Sequence, residues 1–138
     1  MMIEHWFLKH KEQIKKLIVY IIIMINVIIV ASMFLTKQLT GKASILGYRP
    51  YFIMSGSMEP TIMTHQFVLA VPVDPDDVVV GDIITYDRYL NERQTIKKTI
   101  IHRVIEVDEN MIVCKGDNNE NADKPISSDQ IGYKIILY

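Results

Sequence analysis

The sequence predicts a mainly β protein, a compact antiparallel β domain behind one N-terminal transmembrane helix. Three observations lead there. A long uncharged apolar run stands near the N-terminus. Beyond it, short runs rich in Val, Ile, Thr and Tyr alternate with Gly, Pro and Asp clusters. No stretch after residue 36 keeps a helical apolar period over ten or more residues.

The apolar run is Leu17 to Leu35, nineteen residues without a formal charge and broken in polarity only by Tyr20, Asn26 and Ser32. As a helix it is about 28 Å long, close to the hydrocarbon thickness of a bilayer. A cleaved signal peptide has a shorter apolar core, and Phe34-Leu35-Thr36-Lys37-Gln38 lacks a small-x-small cleavage pattern. An uncleaved anchor is therefore expected. Lys9, Lys11, Lys15 and Lys16 precede the run and only Lys37 and Lys42 closely follow it, which places the N-terminus in the cytosol. The expected organisation is a cytosolic segment 1–16, a membrane helix 17–35, a connector 36–50 and an extracytoplasmic β domain 51–138. His5, Trp6, Phe7 and His10 then form an interfacial stretch on the cytosolic side, away from the outer domain.

The connector holds Thr40-Gly41-Lys42 and Gly47-Tyr48-Arg49-Pro50 as breakers. Strand candidates follow at Phe67–Val73, Ile83–Tyr86, Thr99–Val107, Met111–Cys114 and Gly132–Tyr138, with Asp74-Pro75-Asp76-Asp77 and Gly116-Asp117-Asn118-Asn119 as turns. Thr99–Val107 and Met111–Cys114 are expected to pair as a hairpin, and polar Asp87–Lys98 to form an exposed loop or tip. With period two, Ile100, His102, Val104 and Glu106 share one face of their strand.

The net charge of −1 is unevenly spread. Residues 1–16 carry four lysines against Glu4 and Glu12, while residues 36–138 carry eleven basic and fourteen acidic groups. That balance excludes a nucleic-acid surface, which needs clustered basic residues on the soluble part. Cys114 is the single cysteine, so an intrachain disulfide is excluded; in its strand it reads as a small buried apolar side chain.

Chemistry concentrates around Ser55-Gly56-Ser57-Met58-Glu59-Pro60. Gly56 permits a sharp turn and close approach, and Pro60 disfavours helix at Glu59, so the segment reads as a rigid turn able to present a hydroxyl. A serine nucleophile needs a base. His65, His102, Lys97 and Lys98 are the candidates. His102, in a strand among Ile and Val, reads on its own first as a hydrogen-bonded structural histidine, though a neutral imidazole held there is well suited to take a proton from a hydroxyl. Asp117 and Asp123 are the candidate carboxylates to hold that imidazole's tautomer. The spacing of acids and amides around them fits no EF-hand, so a calcium loop is not expected.

Taken in order, Ser55-Gly56-Ser57-Met58-Glu59-Pro60-Thr61, Gly81-Asp82-Ile83-Ile84, His102-Arg103-Val104 and Gly116-Asp117-Asn118-Asn119 resemble the type I signal peptidases. His102 stands where the usual bacterial members carry a catalytic lysine, so the resemblance is to the Ser/His branch of the endoplasmic reticulum, archaea and sporulation-associated enzymes. It implies a signal-peptidase-like β catalytic domain at the membrane surface, working with neither metal nor cofactor. It also implies Ser57 as nucleophile, His102 as general base and Asp123 as third catalytic residue, with Asp117 supporting the loop or sharing that role. Ser55, through its hydroxyl, and the Ser57 backbone N–H would form the oxyanion hole. Substrates would be preproteins with signal peptides, and the lipid bilayer and the secretion machinery would be partners.

Some features depart from the family pattern. Thr64-His65-Gln66 stands where Gly-Asp is usual, leaving His65 without a role. A second apolar span near the C-terminus and the loop insertion of longer bacterial enzymes are not in the sequence, which reads as close to a minimal core. Two other readings compete: a non-catalytic membrane-anchored β module that binds signal peptides, and a soluble self-cleaving repressor with a Ser/Lys core. The anchor and His102 argue against the second.

Overall fold

The computed structural model describes residues 2–89, 97–109 and 111–138, with side chains from His10 onward except that of Thr40. It opens with one continuous helix, α1 (Met2–Thr40). Its window His10–Leu39 is long and apolar enough to cross a membrane, and none of that window is buried inside the protein. The helix outruns the apolar stretch because no breaker occurs before Gly41, which takes a left-handed φ of +69° and ends it. The side chains of His5, Trp6 and Phe7 lie outside the described residues.

Six strands follow: β1 (Arg49–Phe52), β2 (Phe67–Pro72), β3 (Ile83–Tyr89), β4 (Lys97–Asp108), β5 (Met111–Lys115) and β6 (Ile131–Leu137). They form one sheet in the order β1-β2-β6-β3-β4-β5, antiparallel at every pairing. The mainly antiparallel β fold with one N-terminal apolar helix is as the sequence predicts. The β4–β5 hairpin forms as expected. The expected polar tip between β3 and β4 falls mostly on residues 90–96, outside the described residues.

Two expectations change. The connector shortens to residues 41–48, since α1 runs to Thr40 and β1 begins at Arg49. Pro50 does not break β1, because β1 is an edge strand and a proline can sit there without removing a ladder bond. In β4 the period of two fails after Val104, where the register to β5 shifts between Val104 and Glu106. That bulge puts Val107 opposite Ile112 and turns Glu106 away from the face shared by His102 and Val104.

Each face of the sheet buries its own apolar cluster. One gathers Ile53, Met58, Ile62, Val68, Ala70, Ile83, Tyr133 and Ile135. The other gathers Val78, Ile84, Tyr86, Val104, Ile112, Cys114, Ile126 and Ile131. β3 feeds both by alternation, Ile83 to the first and Ile84 and Tyr86 to the second. His102 pairs with Ile84 across the β3–β4 ladder and so faces the second cluster.

Candidate active site

The Ser55–Pro60 segment is a tight turn with a short 3-10 helix at Gly56–Met58. Glu59 leaves it extended (φ −66°, ψ 145°), as the residue before proline should. Met58 and Ile62 are buried and pin the turn to the core. A Cβ on Gly56 would lie 3.1 to 3.3 Å from the Glu59 carboxyl, so a side chain there would push that carboxyl aside by a few tenths of an ångström. That carboxyl accepts from Thr64 N–H and Oγ1 (3.2 and 2.7 Å), bonds that hold it below the usual carboxylate range.

The turn delivers Ser57 Oγ to 3.1 Å from His102 Nε2. On the other side of the ring, His102 Nδ1 lies 2.5 Å from Asp123 Oδ2. Both partners are largely buried, the His102 side chain at 7% exposure and Asp123 at 15%. With Asp123 accepting the Nδ1–H, the Nε2 lone pair faces the serine hydroxyl, the arrangement a general base requires. Ser55 Oγ stands 3.4 Å from Ser57 Oγ.

Asp123 is held by more than the histidine. The Tyr86 hydroxyl donates to its Oδ2 at 2.7 Å, and Arg88 Nη1 lies 3.8 Å from its Oδ1. Tyr86 is fully buried, and burial with the neighbouring carboxylate pushes its phenol well above the ordinary range. It therefore stays a neutral donor. The Asp123 N–H donates to the Cys114 carbonyl (2.8 Å), which ties the acid to the end of β5. Cys114 itself is buried, its thiol pushed up to about 12 by burial and by the Asp123 charge. It is a packing residue.

Asp117 sits elsewhere. Its carboxylate takes a two-pronged pair of bonds from Arg103 (2.9 and 2.7 Å) and one from Thr61 Oγ1 (2.5 Å). Arg103 first, and Thr61 after it, hold Asp117 below the usual carboxylate range. The acid against His102 is Asp123; Asp117 fastens its loop to the residue after His102 and to the strand-ward side of the serine turn. The same loop is stitched to that turn directly, Asn118 N–H to Ser57 O (2.9 Å) and Asn118 Nδ2 to Gly56 O (3.1 Å). A Cβ on Gly116 would stand 2.5 Å from Ser57 O, so only glycine allows this approach.

The other base candidates are accounted for. Lys97 pairs with Asp87 at 2.7 Å, a bond that raises its pKa and keeps it charged. His65 takes a left-handed φ of +66°, the backbone conformation that glycine favours, and stacks its ring on Phe52 at 5.9 Å. Its N–H donates to Ile53 O (2.8 Å), and no hydrogen bond joins its ring to Ser57 among the described residues. Lys98 lines the cleft.

That cleft, about 440 Å³, opens beside Ser57 and runs between Tyr51–Ser55 and Lys98–His102. β5 covers β4 only from Arg103 onward. Among the described residues, the edge of Lys98–His102 that turns away from β3 therefore has no strand beside it.

Sequence reasoning missed Tyr86, Arg88, Arg103 and Thr61. One signal was available for Tyr86: it shares the parity of Ile84 in a buried strand, and a buried tyrosine hydroxyl requires a partner.

No family model matches the chain. It is similar to Signal peptidase I W of Bacillus subtilis (strain 168), 29% identical over 121 residues. The matched region covers 83% of this chain and 60% of that protein, so the chain spans well under two thirds of its relative's length. The similarity supports the type I signal peptidase family and leaves its branches undistinguished.

Proposed function

We propose that this protein is a membrane-anchored serine endopeptidase of the Ser/His branch that removes signal peptides from preproteins. One observation carries the reading: Ser57 Oγ within 3.1 Å of His102 Nε2 while Nδ1 meets Asp123. A module that only binds peptides has no need of that alignment.

In the proposed reaction, His102 takes the Ser57 proton as Oγ attacks the carbonyl carbon after a small residue. The tetrahedral oxyanion forms within reach of Ser57 N–H and Ser55 Oγ, donors worth most when the charge appears only in the transition state. His102 then gives the proton to the departing amine, leaving an acyl-enzyme. Water, deprotonated by the same imidazole, hydrolyses it and restores Ser57. Asp123 keeps the ring in the tautomer that makes both transfers possible. The substrate would lie extended in the cleft, adding a strand along the uncovered edge of β4. α1 would hold the domain at the outer face of the membrane, with the lysine-rich N-terminus in the cytosol.

Purified protein and Ser57→Ala should be compared on preproteins in detergent or vesicles. The wild type should release the mature chain and the variant should not, a loss of about a thousand-fold or more. Cleavage by the alanine variant at the wild-type rate would sink the mechanism. A folded wild type that binds but never cleaves would return the binding-module reading.

A further inference from the structure

The segment between α1 and β1 takes no part in the candidate active site, yet its geometry is unusual. After Gly41 the chain reverses and runs back down alongside the helix. Ser44 N–H donates to Thr36 Oγ1 (3.1 Å), and Leu46 N–H donates to Ser32 Oγ (2.6 Å). There the chain turns through a two-residue hairpin. Ile45 and Tyr48 exchange both backbone bonds (2.7 and 2.9 Å), with Leu46 and Gly47 at φ +51° and +88°. Glycine adopts that conformation freely, and Asn tolerates it; a leucine is strained in it.

Leu46 gains nothing inside the protein for that strain, since it is 64% exposed. Its neighbours Ile45 and Tyr48 are also exposed, at 37% and 49%. Depth resolves the contradiction. Ser32 lies three residues inside the end of the apolar run Leu17–Leu35, about 4.5 Å below it at helical rise. A tip bonded to Ser32 sits at the level of the apolar helix, not above it. The N–H groups of Ile45, Leu46 and Tyr48 and the carbonyls of Ile45 and Tyr48 are bonded, which lowers the cost of placing this backbone in an apolar medium. Lys37 on the helix and Arg49 at the hairpin's exit stand on the headgroup side of the tip. A notch of about 270 Å³ separates hairpin from helix, lined by Met33, Ser44, Ile45, Tyr48, Arg49 and Pro50. The Ser44 hydroxyl there is buried without a hydrogen-bond partner.

We propose that Ile45-Leu46-Gly47-Tyr48 is a wedge inserted into the outer leaflet beside α1, with lipid acyl chains against Leu46, Ile45 and Tyr48. The inference rests on α1 spanning the membrane, as proposed above. The wedge leads through Arg49 and Pro50 directly to Tyr51, the first residue of the cleft. It therefore sets the height of Ser57 above the bilayer.

Trp6 is the only tryptophan, so Trp6→Phe gives a silent background. In it, Tyr48→Trp of the full chain is reconstituted in phosphatidylcholine–phosphatidylglycerol vesicles. The wedge predicts blue-shifted emission, quenching by lipids brominated in the upper acyl chain and shielding from aqueous iodide. Emission quenched by iodide and untouched by bromolipid overturns it. Met24→Trp in the same background separates the two readings. If Met24→Trp is also wet, the anchor fails and the wedge with it; if Met24→Trp is dry and Tyr48→Trp wet, the wedge alone fails. Leu46→Asn, which suits the left-handed turn, should keep or raise the melting temperature. It should also cut the bromolipid quenching of Tyr48→Trp severalfold. Quenching unchanged by Leu46→Asn would remove Leu46 from the wedge.

Discussion

Asp117 and Asp123 lie on one loop, six residues apart, and the protein uses them for different things. Asp123 is mostly buried and is surrounded by groups able to donate to it, His102 and Tyr86, with Arg88 just beyond bonding distance. Asp117 is gripped by a formal cation, Arg103, and by Thr61. In the proposed reaction, the first environment leaves a carboxylate able to stabilise the proton that His102 takes up. The second neutralises its carboxylate with a fixed charge. A guanidinium cannot give up its proton, so Asp117 can fasten but has no proton traffic to govern.

The sharpest way to test that division is to remove the charge at each acid while keeping its shape. Asp123→Asn should lower kcat roughly a thousand- to ten-thousand-fold on a preprotein, because an amide at that position favours the wrong imidazole tautomer. Asp117→Asn should leave kcat within a few-fold. If both variants lost activity equally, the two acids would not be divided as described.

Tyr86→Phe probes the Asp123 side more finely. It deletes one hydrogen bond to a charged acceptor and leaves the ring in place, so kcat should fall about tenfold with KM unchanged. The His102 Nδ1 proton resonance should move in the same variant, a readout that does not depend on turnover. A Tyr86→Phe protein with native kcat and an unmoved resonance would make the tyrosine a packing residue.

The smallest effect belongs to Asp117 and is read as stability. Its folded pKa is depressed, so its contribution is present above the unfolded carboxyl value near ~4 and is lost as pH falls through the folded value. Asp117→Asn should therefore cost about 1–3 kcal/mol at neutral pH. Denaturation curves of the two proteins should converge in acid, below about pH 4. A gap that stayed constant down to pH 2 would rule out the ion pair as its source.

Much of this was legible in the sequence, for reasons that differ along the chain. The apolar run is a length signal, and Ile83–Tyr86 and Met111–Cys114 are composition signals flanked by turns; these survive without tertiary information. The serine turn was legible because Gly56 and Pro60 restrict the backbone locally. β1 was not, since Pro50 reads as a breaker until the strand is known to lie at an edge. Nor was the bulge after Val104, which depends on how β5 happens to register against β4. Two acids on one loop cannot be ranked from sequence, because their partners across the sheet, His102 and Tyr86 for one and Arg103 for the other, decide between them. His65 looked like a spare base and is a backbone solution, a side chain tolerated where the chain needs a left-handed turn.

The close seating of Gly116 under Ser57 has a temporal consequence. Ser57 and His102 are 45 residues apart, and the loop that backs the serine arrives later still. No local segment contains the serine, its base and its acid, so the constellation depends on the long-range strand pairings that form slowly in β topologies. In a chain still being synthesised, with Asp123 not yet emerged, the His102 ring beside Ser57 has no acid to fix its tautomer. On the proposed mechanism, the nascent chain stays inert until β3, β4 and the loop carrying Asp123 have come together.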